Sequence, residues 1–223
     1  MAEVTTGIRR SSPDDRHKVL LAEERSLAKA VAQEVIGQNQ VTVWDVLIPF
    51  VFLYNLLRFG RAREAFALNF LFTKKLALEA AMDMTKKGQS REEVTAAIEV
   101  KTGSVLASDK KGIYTDKIRQ RQMKEIGLLI DHYRRLLEAE GGTYPSLVRS
   151  AYQSPGSYAT FLHQLKEAEK DVNQAALQAV GRTAPALKIV SAMEKASQRM
   201  RTAGAEEIFS GQNPEAGRRG SKK

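Results

Sequence analysis

Residues 43 to 59 read VWDVLIPFVFLYNLLRF, and no other stretch constrains the fold of this chain as strongly. From Val46 through Leu53 every side chain is apolar, and the run continues through Tyr54, Leu56 and Leu57 with Asn55 as the interruption. Six of the eight phenylalanines (Phe50, Phe52, Phe59, Phe66, Phe70 and Phe72) and the single tryptophan, Trp44, fall between positions 44 and 72. A segment of this kind must leave water, either for a protein interior or for a bilayer.

Length separates the two destinations. As a helix, residues 46–57 extend about 18 Å, against roughly 30 Å of bilayer hydrocarbon. Extension to Val43 and Phe59 brings in Asp45 and Arg58 and still reaches only about 25 Å. A buried helix, or an interfacial or re-entrant segment, fits better than a full span.

The flanks organise the run into a hairpin. Thr42 and Asp45 have capping-box spacing, which gives Asp45 a structural task at the helix mouth. Pro49 removes an amide donor inside the run and predicts a kink. After Arg58-Phe59-Gly60-Arg61, a second helix is expected over 62–86, with Phe66, Phe70, Ala77, Ala81 and Met84 among its apolar positions and Lys86-Lys87-Gly88 as its stop. The hairpin 42–86 thus has a basic tip. Trp44, Phe50, Phe52, Tyr54, Arg58, Arg61 and Arg63 are its candidate contacts with a partner or an anionic membrane surface, where cations snorkel and aromatic rings anchor.

Helical punctuation covers the rest of the chain. Ser12-Pro13-Asp14-Asp15 opens a helix expected over 14–36, with Leu20, Leu27, Val31 and Val35 on one stripe. Ser90 and Glu93 form a capping box before Val94 and Ile98, and Gly103 is expected to close that short helix. Thr115 caps a helix over 116–139 whose core face comprises Ile118, Ile126, Leu129, Ile130, Tyr133 and Leu137. A short helix near Pro145 follows, then a stripe from Tyr158 to Ala179, then a last helix from Thr183 through Leu187, Val190, Met193 and Met200. No period-two stretch with a turn signal interrupts this pattern. The expected fold is all-α: an irregular bundle of about six to eight helices around the hairpin, one domain over 1–202, and a disordered basic tail over 203–223.

The composition narrows the chemistry. A chain of 223 residues buries enough surface to need no covalent staple, and with no cysteine it has no thiolate nucleophile or thiolate metal ligand. His17, His132 and His163 lie in no metal motif. His163 and Glu167 form an ordinary helix-surface pair, and Asp131 and His132 point about 100° apart on a helix. No phosphate-binding or nucleophile-elbow motif occurs. No catalytic, cofactor or metal residue is therefore assigned.

The net charge of +9 admits nucleic acid or anionic lipid as partners. Lys110, Lys111, Lys117, Arg119, Arg121 and Lys124 cluster within fifteen residues, and Lys117, Arg121 and Lys124 share a helical face that is the candidate nucleic-acid contact. The N-terminus has no secretory h-region, so cytoplasm is the expected location, with attachment to the inner membrane face as a variant. The leading functional expectation is a non-catalytic interaction or scaffold protein with a protein partner or self-association. Peripheral membrane docking through 43–72 is the alternative, and nucleic-acid binding through 110–124 is the second.

Overall fold

The computed structural model describes residues 11–37, 62–109 and 112–210. These form eight helices: α1 (Pro13–Gly37), α2 (Ala62–Phe70), α3 (Phe72–Lys87), α4 (Arg91–Ser108), α5 (Asp116–Glu138), α6 (Tyr144–Tyr152), α7 (Pro155–Val180) and α8 (Ala184–Phe209). No strand occurs among the described residues, and the all-α bundle expected from the sequence is the fold. Among the described residues no helix is long and apolar enough to cross a membrane. The first arm of the expected hairpin lies outside the described residues, with Thr42, Asp45, Pro49 and the contact candidates Trp44, Phe50, Phe52, Tyr54, Arg58 and Arg61.

Capping chemistry places the helix starts. Ser12 Oγ accepts from the Asp15 amide at 3.2 Å while Asp15 Oδ2 accepts from the Ser12 amide at 3.3 Å. Ser90 and Glu93 make the reciprocal pair that opens α4, and Thr115 Oγ1 accepts from Ile118 N to open α5. Thr143, Ser154 and Thr183 do the same for α6, α7 and α8, each followed by a proline in the first turn. Such a cap satisfies one otherwise orphaned amide and contributes about 1 kcal/mol. At the α5–α6 turn only glycine serves at 141: its φ is +138°, and a Cβ there would lie 2.9 Å from Ser146 Cβ.

The centre of the bundle is α5 packed against α3, with α7, α1, α4 and α6 around them. Ile118, Ile126, Leu129, Ile130, Tyr133 and Leu137 are each at most 1% exposed, together with Leu136. On α3 the buried side chains are Thr73, Lys74, Leu76, Ala77, Leu78, Ala80 and Ala81, so the second arm of the hairpin is a central element. The alanines let α3 approach α5 closely. Leu136→Ala should lower stability by about 2–5 kcal/mol, read as a fall in the urea midpoint with an unchanged slope.

Three boundaries and one helix face differ from the sequence expectation. The second arm is interrupted at Leu71, dividing 62–87 into α2 and α3. Helix α4 runs through Gly103 to Ser108, because the buried Val105 and Tyr114 pack on α7, and that packing outweighs the roughly 1 kcal/mol cost of an interior glycine. Helix α8 continues seven residues past 202 because Ile208 and Phe209, 6% exposed each, close the main core beside Tyr158. Residues 211–223 lie outside the described residues. The face of α8 is also rotated from the expected stripe: Ala186, Ile189, Ala196 and Ser197 are buried, whereas Leu187 is 37% exposed.

Candidate functional site

Four helices bring charged side chains into the interior. Lys74 on α3, Glu125 on α5, Glu169 on α7 and Arg201 on α8 meet around one cavity. Lys74 is 3% exposed, and its Nζ donates to Glu169 Oε1 at 3.0 Å and lies 3.7 Å from Glu125 Oε1. Arg201 grips Glu169 with both terminal nitrogens, Nη1 to Oε2 at 2.6 Å and Nη2 to Oε1 at 2.9 Å. Thr73 Oγ1 donates to Glu125 Oε1 at 2.7 Å, and the Lys74 ammonium lies 4.2 Å from the centre of the Phe70 ring.

The electrostatics follow from this geometry. Burial works against the Glu169 carboxylate, but Arg201 and Lys74 outweigh it and hold its pKa near about 2. Burial likewise opposes the Lys74 ammonium, yet Glu169 and Glu125 raise its pKa above the ordinary lysine value. Lys74 is therefore a fixed cation, unsuited to act as an amine nucleophile, which must be deprotonated. Glu125 differs: burial dominates, Lys74 compensates only in part, and its pKa is raised. Glu125 is thus the one carboxylate of the four residues held above, rather than below, its ordinary pKa.

The cavity beside this cluster measures about 100 Å³, with Phe66, Phe70 and Met193 as its apolar wall. Ser197, 4% exposed, lines it, and Ser197 Oγ has no protein partner among the described residues. Across the cavity Asn173 Nδ2 donates to Glu194 Oε1 at 3.0 Å.

On the opposite side of Arg201 lies a larger cavity of about 460 Å³, framed by α1, α5, α6, α7 and α8. His132 lines it, 4% exposed, stacked on Phe161 with ring centres 4.0 Å apart. Its Nδ1 shares a hydrogen bond with Tyr152 Oη at 2.7 Å. Burial, then Arg201 and Arg135, push the imidazole pKa down to about 3, so it is neutral at physiological pH. Asp131, the chain neighbour, points away and binds Arg91. His163 and Glu167 are both exposed.

The basic segment is largely committed within the fold. Lys117 Nζ donates to Gln178 Oε1 at 2.7 Å, and Arg121 Nη1 to Asp171 Oδ2 at 2.9 Å, both on α7. Arg119 reaches back to α4, donating to Thr102 Oγ1 and the Glu99 carbonyl. Lys124 is exposed and alone of the three candidate contacts makes no such bond among the described residues. Lys110 and Lys111 lie outside them.

Arg63 is the one hairpin contact candidate that is described, and it is exposed on α2. It borders a groove of about 580 Å³ between α1 and α2, together with Arg25, Lys29, Glu64, Ala67 and Leu68. Leu68 is 50% exposed. Helices α1 and α2 are also the two that flank residues 38–61 in the chain.

Sequence reasoning found the helix faces but missed the buried charges. Lys74, Glu125, Glu169 and Arg201 lie on four helices and share no motif. The one available signal was Glu125 and Lys74 on the apolar sides of their helices, where a solvated charge does not belong. Compared with family models, with curated proteins and with solved structures, the chain matches none.

Proposed function

We propose that this chain is a cytoplasmic helical interaction protein, without covalent chemistry of its own, that docks a protein partner on its α1–α2 face. The observation that carries the reading is the groove between these helices, with Arg25, Lys29 and Arg63 around the half-exposed Leu68. With three cations against the single carboxylate of Glu64, the rim is basic in excess, and apolar surface with such a rim is what an acidic partner recognises. The aromatic-rich residues 43–57 join these two helices in sequence.

The same cations and Leu68 support a second reading, docking on an anionic membrane surface. One experiment separates the two. In native lysate at low salt, the wild type should elute from a sizing column in a detergent-free assembly heavier than the monomer. Lys29→Glu combined with Arg63→Glu should return a folded chain to monomer mass, because charge reversal at a rim repels an acidic partner. Elution of the wild type as a monomer would overturn the protein-partner reading. Release from the membrane pellet only by detergent, with sedimentation on phosphatidylglycerol vesicles, would replace it with the membrane one. Nucleic-acid binding remains a third reading with less support, since Lys117 and Arg121 are paired with α7; it requires a steep salt dependence lost on neutralising Lys117, Arg121 and Lys124.

A further inference from the structure

The 460 Å³ cavity on the α1–α8 side of the bundle has the size of a small-molecule site. Its floor is apolar, with Leu129, Phe161, Leu162, Leu165 and Ile208 among its lining. Two phenols stand in its wall, Tyr144 and Tyr158, with their oxygens bonded to each other at 2.9 Å. One phenol donates to the other, and burial raises the pKa of Tyr158 to about 12 and that of Tyr144 well above the usual value. They offer ring faces and neutral hydroxyls rather than charge.

The charge in the wall is negative. Glu23, Glu24 and Glu207 line the cavity, and the Glu23 pKa is raised by burial and then by its two carboxylate neighbours. Against these three carboxylates stand two arginines: Arg201 is paired with Glu169, which it shares with Lys74, and Arg149 donates to the Ile208 carbonyl. Glu24 is the deepest of the three carboxylates. Its Oε1 accepts from Tyr133 Oη at 2.8 Å, whereas Oε2 is buried and accepts from no protein donor among the described residues. His132 stands beside it in the lining: the residue is 4% exposed and its Nδ1 is engaged by Tyr152.

A buried carboxylate oxygen left without a donor costs stability unless something donates to it. Beside apolar and aromatic walls, the donor that fits is a cationic head on an apolar body. Ammonium groups pair with carboxylates through short charge-assisted hydrogen bonds and are attracted to aromatic faces. We propose that this cavity binds a small organic ammonium ion, its head on Glu24 Oε2 and its apolar body against Phe161, Leu162 and Ile208. The site is separate from the α1–α2 docking face, and neither assignment depends on the other.

Titration calorimetry of the full chain with 2-phenylethylamine, and with 2-phenylethanol as its uncharged counterpart, tests the assignment. The amine should bind saturably at one site and roughly ten- to a hundredfold tighter than the alcohol, the range for a hydrogen bond to a charged group. Glu24→Gln, which keeps shape and the Tyr133 partner, should erase that preference. Gly204→Leu should abolish binding of both probes: Gly204 lines the cavity on α8, and a Cβ built there meets nothing within 4 Å. Equal affinities for amine and alcohol in the wild type would overturn the proposal without recourse to any variant. So would the absence of saturable amine binding, or a folded Glu24→Gln chain that keeps the preference.

Discussion

Replacing Glu169 with glutamine should destabilise the folded chain by about 3 kcal/mol, the lower end of the range for breaking a buried pair. Glu169 is bonded directly to two interior cations, Lys74 at 3.0 Å and Arg201 through both nitrogens. Glutamine preserves the volume but leaves an ammonium and a guanidinium facing each other's charge with half their compensation gone. The side chain of Glu169 retains 18% exposure, so water screens part of the loss and the larger figures in that range do not apply. Lys74→Met in the same background should recover much of the deficit, since an apolar isostere removes the stranded charge. Urea unfolding of the two single variants and the double variant gives the coupling directly. An additive cycle would show that Glu169 and Lys74 do not act as one unit.

Below neutral pH the largest expected effect belongs to His132. Its folded pKa is depressed to about 3, against 6.5 for the free side chain. The unfolded chain therefore takes up a proton that the folded one refuses. The contribution is fully present above pH 6.5 and is lost as pH falls from there toward 3. Between pH 7 and pH 5 this amounts to about 2 kcal/mol. His132→Phe removes the term while keeping a ring against Phe161. At pH 7 the variant should be less stable than wild type by about 1 kcal/mol, the cost of losing the Tyr152 bond. At pH 5 the order should reverse. Glu125, with its raised pKa, acts in the opposite sense, and Glu169 loses its contribution only below pH 4.5 as its carboxylate protonates toward 2. Both are common to the two proteins, so the difference between their pH–stability curves isolates the imidazole. Parallel curves would mean that the ring is hydrated in solution.

The helices were legible because each carries its own period and caps. Ile118, Ile126, Leu129, Ile130, Tyr133 and Leu137 recur at helical spacing and all are buried. Ser90 with Glu93, and Thr115, are caps that operate within a few residues, so a linear reading contains all that they need. The misjudged boundaries are those decided elsewhere in space. Gly103 has a weak local preference to end α4, and packing of Val105 with Tyr114, Ala175 and Ala176 overrides it. The expected tail began at 203, but Ile208 and Phe209 find a core built by α5, α6 and α7.

The candidate sites divide in the same way. Lys117, Arg121 and Lys124 all lie on α5, yet only the packing of α5 beside α7 ties the first two to Gln178 and Asp171. No spacing rule relates Glu24 on α1 to Tyr133 on α5, or Lys74 to Arg201; the pairs are 109 and 127 positions apart.

By itself, the sequence determined an all-α chain with capped helix starts and, having no cysteine, no disulfide. These follow from short-range steric and hydrogen-bonding rules, together with the free energy of removing apolar faces from water. Which helix occupies the centre, and which charges enter with it, was decided only by the tertiary structure. A buried ion pair is tolerable when its partner arrives from another helix at hydrogen-bond distance, and the relative placement of α3, α5, α7 and α8 determines whether it does.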